Sequence, residues 1–150
     1  MRLPRAATGD SLAKRVTIMQ LSLSVRIAEE FHSKEEASMP LGDLVRMAKR
    51  CGYDAICMRA SQVGVQSPPE IVEVATDCLA ESGLAVSMVT GDFDTVYNND
   101  NGPGALLNIT PYLDLAKRLG APRIRVALKQ ESDIANAQRA ADEAAERGIQ

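Results

Sequence analysis

Apolar and polar positions along the chain repeat one junction four times. The stretch from Leu115 to Leu128, LAKRLGAPRIRVAL, shows the junction in full. The apolar face of a helix end comes first, then Gly120 and Pro122, which stop a helix, and then an apolar segment typical of a strand. We expect Gly120 to adopt the left-handed conformation that closes a helix. The other three junctions are Cys51-Gly52-Tyr53, Ser82-Gly83-Leu84 and Arg147-Gly148-Ile149.

The repeated junction predicts strands that alternate with helices. The near-continuous apolar run Ala55 to Arg59, AICMR, is typical of a parallel strand that is covered on both faces. Helices are predicted where apolar residues recur at every third or fourth position. The predicted strands are residues 17–25, 55–59, 84–90 and 123–128. Three of the predicted helices are residues 40–51, 105–119 and 132–147. The remaining helix starts at a capping box formed by Ser67 and Glu70 and ends at Glu81.

Three segments depart from a regular repeat. The connections at residues 26–39 and 91–104 are longer than the two to six residues typical of a βα connection. Pro111 lies inside the third predicted helix, so either that helix is kinked or it starts at Thr110 as its N-cap. At the other end of the chain, Ile149 and Gln150 resemble the first residues of a fifth strand.

These elements predict an α/β fold made of four consecutive βα units of a parallel (βα)8 TIM barrel, truncated at the start of strand five. Doubling the four units gives about the ~250 residues of a complete barrel. We expect residues 1–15 to form a flexible N-terminal tail and residues 16–150 to form the N-terminal half of the barrel. The alternative is an open doubly wound sheet of the flavodoxin type. The sequence has no glycine-rich phosphate turn after the first strand, which favours the barrel.

Composition narrows the classes of partner. Hydrophobic residues make up 45% of the chain and charged residues 25%, both ordinary for a globular protein. A net charge of −3 gives no general attraction to nucleic acid or to an anionic membrane, and no apolar run approaches the ~20 residues of a transmembrane helix. The three cysteines contain no CxxC pair and indicate reduced thiols. We therefore expect a cytoplasmic protein with neither a nucleic-acid nor a membrane partner.

Four segments in order resemble the xylose-isomerase-like TIM barrels, a group that includes sugar-phosphate isomerases and epimerases. The segments are CGYDAICMR, ESGLAVSMV, LAKRLGAPRIRV and AAERGIQ, and the resemblance spans residues 17–150, the first half of such a protein. It implies a divalent metal, manganese or magnesium, held by Glu, Asp and His residues after later strands. Those positions would follow Gln150. The resemblance thus implies a metal in the full-length protein and no metal ligand within this chain.

Four residues are candidates for substrate binding, because the chemistry of a (βα)8 barrel lies at the C-terminal ends of its strands. Arg59 ends the second strand and is suited to bind a carboxylate or phosphate with two nitrogens. Asp92 follows the third strand and is suited to bind sugar hydroxyls. Lys129 follows the fourth strand and is a candidate for an anionic group. His32 lies in the first long loop, where it could cover a pocket or transfer a proton. The paired Glu29 and Glu30 are interpreted as part of a solvated loop.

Two hypotheses for function follow. The first is the N-terminal half of a metal-dependent isomerase or epimerase of a sugar, sugar phosphate or polyhydroxy acid, which contributes pocket walls but no metal ligands and is inactive alone. Its partner is a small sugar-like substrate, and self-association into a homo-oligomer is left open. The second is a self-contained, doubly wound α/β binding domain without catalysis. No catalytic residue is identified.

Overall fold

Parallel strands alternate with helices in the structure, a computed structural model that describes residues 19–33, 35–90 and 104–150. The strands are β1 (Ser22–Ser24), β2 (Ala55–Met58) and β3 (Ala85–Val89). A 3-10 helix, Val25–Ala28, follows β1 directly. The α-helices are α1 (Leu41–Arg50), α2 (Pro69–Ser82), the single turn α3 (Gly104–Leu107), α4 (Thr110–Arg118) and α5 (Asp133–Glu146). Among the described residues, no helix is long and apolar enough to cross a membrane.

The three strands form a parallel sheet in the order β1-β2-β3, with β2 in the centre. Next to β3, Ile124 forms a single parallel bridge with Val89. Beyond Ile124, the backbone of Gln150 donates to the carbonyl of Pro122 and accepts from Ile124, at 2.9 and 2.8 Å. This sequential order contradicts the flavodoxin-type alternative, in which β1 would lie between β2 and β3.

One face of the sheet packs against the helices and carries the core. Leu23, Ile56 and Met58 are buried there against the apolar faces of the helices. A bulge in the pairing of β2 with β3 explains why Val86 and Val89, three residues apart, both belong to this core. The helix residues that complete the core include Leu44, Val45, Ala48, Val72, Ala75, Leu79, Leu113, Ala116, Ala140 and Ala144.

The opposite face of the sheet carries small residues. Ala55 and Cys57 on β2 are buried but lie outside the helix-packed core. Ser22 and Ser87 meet across β2, with 2.6 Å between their hydroxyl oxygens, and Ser87 also donates to the Ile56 carbonyl at 3.1 Å. Ser87 is the extra residue of the bulge, so its side chain satisfies a backbone acceptor beside the irregular pairing.

The four predicted glycine stops are confirmed. Gly52, Gly83, Gly120 and Gly148 have positive φ angles between 67° and 80°, and no other described residue has one. This backbone conformation is nearly free for glycine and unfavourable for other residues. Each glycine therefore ends a helix and redirects the chain into the next segment.

Several predicted boundaries need correction. The predicted strand 123–128 is reduced to a single bridge at Ile124, which pairs with Val89, the last residue of β3. The predicted capping box is wrong. The Ser67 hydroxyl accepts from the Gly64 amide at 3.0 Å, and α2 begins without a side-chain cap. The third predicted helix is two helices, α3 and α4, with Pro111 in the first turn of α4.

The first long connection is more ordered than a plain loop. Its first residues form the 3-10 helix, which Ser24 begins by accepting from the Arg26 amide at 3.3 Å. An antiparallel bridge between Glu29 and Ala37 then closes the connection into a hairpin-like loop. The predicted tail and most of the second long connection, residues 91–103, lie outside the described residues.

Candidate functional site

The C-terminal ends of neighbouring strands bring polar side chains to one level of the sheet. Met58 pairs with Val89, and Val89 pairs with Ile124. Arg59 follows Met58, Thr90 follows Val89 and Arg125 follows Ile124. These three residues therefore lie side by side across the sheet, with Thr90 in the middle. The Thr90 amide donates to the Met58 carbonyl at 2.9 Å, which continues the pairing of β2 with β3 by one residue. We call Glu29, Cys57, Arg59, Thr90 and Arg125 the strand-end cluster.

Arg59 is anchored in this cluster by a buried ion pair. Its Nε donates to Oε1 of Glu29, and only 7% of the Arg59 side chain and 6% of the Glu29 side chain are exposed. The Ser61 hydroxyl donates to the same carboxylate oxygen at 3.4 Å. Two charges removed from water need such mutual compensation. The pair ties the end of β2 to the loop that follows β1, and it fixes the direction of the guanidinium.

Cys57 lies two residues before Arg59 on the same strand, and the charges of Arg59 and Arg125 both affect its thiol. Burial raises the pKa of the Cys57 thiol, and the nearby Arg59 and Arg125 lower it, with burial the larger effect. The thiol therefore stays protonated at neutral pH. The register of the sheet places Arg59 and Arg125 at the same end of β2, which agrees with the influence of both charges on this thiol.

Lys129 lies in a turn that a buried carboxylate organises. Oδ2 of Asp133, which is 3% exposed, accepts from the amides of Lys129 and Gln130 at 2.8 and 3.2 Å. Lys129 itself is exposed. Among the described residues, no hydrogen bond or ion pair joins its side chain to the strand-end cluster. Its predicted role in substrate binding stays a prediction.

His32 lies near the tip of the loop after β1. Its ring meets the exposed Phe31 edge to face, with 4.8 Å between ring centroids. It lines an open cleft of about 630 Å³ together with Glu30, Ser33, Glu36 and Ala37. In the part of the chain that the structure describes, His32 makes no hydrogen bond to Arg59. Asp92, the remaining predicted substrate residue, lies outside the described residues.

Of the five residues in the cluster, sequence reasoning identified only Arg59 as a site residue, and the two charged residues that it missed are Glu29 and Arg125. Glu29 was assigned to a solvated loop, but its side chain is buried against Arg59. The clue was Arg59 itself, because a cation that ends a fully apolar strand needs a carboxylate partner. Arg125 alternates with Ile124 and Val126, a pattern that predicts opposite faces for the arginine and its apolar neighbours.

The described residues do not fit a metal site. No group of three or more His, Cys, Asp or Glu side chains is placed to hold a metal ion within residues 19–33, 35–90 and 104–150. Glu29, the one carboxylate of the strand-end cluster, is already paired with Arg59. We therefore assign no chemical step to a metal in this part of the protein.

Comparison with solved structures identifies the fold. No protein-family profile and no curated protein matches the sequence. A xylose isomerase-like TIM barrel protein from Mycobacterium smegmatis, in complex with magnesium, matches with a TM-score of 0.64 at 16% identity. The match covers 87% of this chain and 53% of that protein.

Two enzymes share the same architecture. The probable 3-DHS dehydratase AsbF from Bacillus anthracis, involved in petrobactin synthesis, matches with a TM-score of 0.62 at 16% identity over 87% of this chain and 50% of its own. D-psicose 3-epimerase from Clostridium cellulolyticum H10, solved with D-tagatose, matches with a TM-score of 0.62 at 12% identity over the same shares. This chain thus spans about half the length of these proteins. The resemblance inferred from the sequence is confirmed for the fold.

Proposed function

We propose that residues 16–150 form the N-terminal half of a (βα)8 barrel that isomerises or epimerises a sugar, a sugar phosphate or a polyhydroxy acid. In this proposal the chain supplies four βα units and one wall of the substrate pocket, and Ile149 and Gln150 begin the fifth strand. The hydrogen bonds that link Val89, Arg125, Ile124 and Gln150 in a parallel series support this arrangement. The half-length matches to barrel proteins support it too.

One observation carries the proposal, which is the position of Arg59. A buried arginine ends the central strand, at the end of the sheet where (βα)8 barrels carry their chemistry. An ion pair with Glu29 holds it in place, and its planar guanidinium can bind two oxygen atoms at once. A stability-only role would be served better by an apolar residue, because burying a charge is unfavourable.

The residues of this half have positioning roles in the proposed reaction. Removing a proton from a carbon beside a carbonyl places negative charge on the carbonyl oxygen, and hydrogen-bond donors that are already in position stabilise that charge. Arg59 would bind an oxygen of the substrate, while Glu29 holds its guanidinium. Asp92, Lys129 and His32 are retained as proposed substrate residues. Manganese or magnesium is proposed for the whole protein, with ligands outside the described residues.

The decisive experiment determines the reading frame past the codon for Gln150 and assays its complete product. We expect about 110 to 130 further residues, as a full barrel requires, and manganese- or magnesium-dependent isomerisation or epimerisation of a sugar, a sugar phosphate or a polyhydroxy acid. Arg59→Lys keeps the positive charge but loses the planar guanidinium that can bind two oxygen atoms at once, so we expect kcat/KM to fall about tenfold or more. Arg50→Lys, on the exposed end of α1, is the matched control.

Two results would contradict the proposal. One is a stop codon directly after Gln150, which would leave no residues for the second half of the barrel. The other is a complete barrel whose isomerase or epimerase activity is absent with every sugar, sugar phosphate and sugar acid tried. An active enzyme in which Arg59→Lys behaves as Arg50→Lys would instead remove Arg59 from the site.

A further inference from the structure

Arg59 has unused hydrogen-bonding capacity in a buried position. The residue is 6% exposed, and its Nε donates to Glu29. Within the described residues, neither terminal nitrogen of the guanidinium has a hydrogen-bond partner. Buried polar groups in proteins are nearly always partnered, so the remaining donors of this guanidinium are available to a ligand that enters the site. The donors are positively charged, so the ligand they favour is an oxyanion.

A second arginine stands at the same level of the sheet. The register Met58 to Val89 to Ile124 puts Arg125 two strands from Arg59, with Thr90 between them. The backbone of Arg125 is fixed there by its amide, which donates to the Val89 carbonyl at 3.0 Å. Its side chain is exposed and free to reach a ligand. Two strand spacings are about 9 to 10 Å, a span that two long arginine side chains can close around one anionic group.

Among the described residues, the strand-end cluster contains two guanidinium groups and one carboxylate. Glu29 balances one of the two guanidinium groups, and no other carboxylate of the described residues is hydrogen-bonded or ion-paired to either arginine. The cluster as described thus carries one excess positive charge. The Cys57 thiol adds none, because burial raises its pKa and keeps it neutral at physiological pH.

We propose that Arg59 and Arg125 form an oxyanion subsite that binds a carboxylate or phosphate group of the substrate. The inference rests on the proposed function, because it places the substrate at the C-terminal end of the sheet. It narrows the proposed substrate class to sugar acids or sugar phosphates. Arg59 is the fixed half of the subsite, oriented by Glu29, and Arg125 is the mobile half.

Titration calorimetry on the protein tests the subsite without any need for activity. The probes are inorganic phosphate, D-gluconate as a carboxylate, and D-sorbitol as a neutral polyol. We expect at least one anion to bind and sorbitol not to bind. Tighter binding of phosphate would indicate a sugar phosphate as the substrate, and tighter binding of gluconate would indicate a sugar acid. Binding of sorbitol as tightly as the anions, or failure of both anions to bind, would overturn the inference.

Variants separate the subsite from general attraction of anions. Arg125 is exposed, so Arg125→Gln should fold normally and weaken anion binding about tenfold, whereas Arg50→Gln removes the same charge from the end of α1 and should change nothing. Equal affinities of the two variants would overturn the role of Arg125. The isomerase assay is independent. If the protein acts on a neutral sugar and Arg125→Gln leaves this activity unchanged, only the subsite is refuted. If the protein binds anions but has no isomerase activity, only the proposed function is refuted.

Discussion

Glu29 and Arg59, thirty positions apart in the sequence, form an ion pair in which each side chain is at least 93% buried. The pair joins the loop after β1 to the end of the central strand. It is therefore both a fold constraint and the support of the candidate site. Its two roles are separable, because stability can be measured without substrate and binding can be measured by calorimetry.

Removing one member of this pair should destabilise the protein strongly. Glu29→Ala leaves a buried guanidinium without its carboxylate, and we expect the free energy of unfolding to fall by about 3 to 5 kcal/mol. The double variant Glu29→Leu with Arg59→Met removes both charges and should lose less than the single variant. Urea denaturation measures both.

The neighbouring glutamate provides the control for this prediction. Glu30 is exposed, so Glu30→Ala should change the free energy of unfolding by no more than about 0.5 kcal/mol. If Glu29→Ala were as mild as Glu30→Ala, the ion pair would not be buried as described.

The sequence predicted the parts of the fold that depend on local physics. Gly120 stops a helix by its own conformation, and the periodicity of α1 follows from which of its residues are buried, so both were predictable. The strand predicted at residues 123–128 was too long, because strand length depends on where the partner strand ends. Glu29 escaped prediction for a related reason. Glu29 is buried because it pairs with Arg59, and the sequence of the loop does not indicate which distant residue contacts it.

The reactivity of Cys57 should report the electrostatics of the strand-end cluster. Burial raises the pKa of its thiol, and the thiolate is the reactive form, so we expect iodoacetamide to label Cys57 about tenfold or more slowly than the exposed Cys51 at neutral pH. Labelling should accelerate only at alkaline pH. The pKa of this thiol is higher in the folded protein than in the unfolded chain. The free energy of unfolding should therefore also fall as the pH rises above the pKa of the unfolded thiol.

Removing Arg125 should slow the labelling of Cys57 further. The charge of Arg125 lowers the thiol pKa, so Arg125→Gln should raise it and shift the labelling profile to higher pH. Mass spectrometry of the labelled cysteines gives both rates in one sample, with Cys51 as the internal reference. A shift of the same size in Arg50→Gln would show that Arg125 has no special proximity to Cys57.

Asp133 should control the turn that contains Lys129. Its carboxylate accepts two backbone amides from a buried position, so Asp133→Ala leaves both donors unsatisfied and should lower the free energy of unfolding by about 1 to 3 kcal/mol. Hydrogen exchange of the Lys129 and Gln130 amides should accelerate in this variant. Asp142→Ala removes an exposed carboxylate from the same helix, α5, and should leave both amides protected. Unchanged exchange in Asp133→Ala would contradict the assignment of these hydrogen bonds.

The same substitution at two glycines should change stability in opposite directions. Gly120 has a φ of 67°, and a Cβ there would meet no atom within 4 Å, so Gly120→Ala tests backbone strain alone. We expect a loss of about 1 kcal/mol, since left-handed backbone is unfavourable for alanine. Gly42 lies in the first turn of α1, where a Cβ would make an ordinary contact of 3.5 Å with Nη1 of Arg46. Gly42→Ala should therefore gain about 0.5 kcal/mol by restricting the unfolded chain. If the urea midpoints of the two variants move in the same direction, the left-handed conformation of Gly120 is contradicted. This conformation ends α4 and turns the chain toward Ile124 at the edge of the sheet.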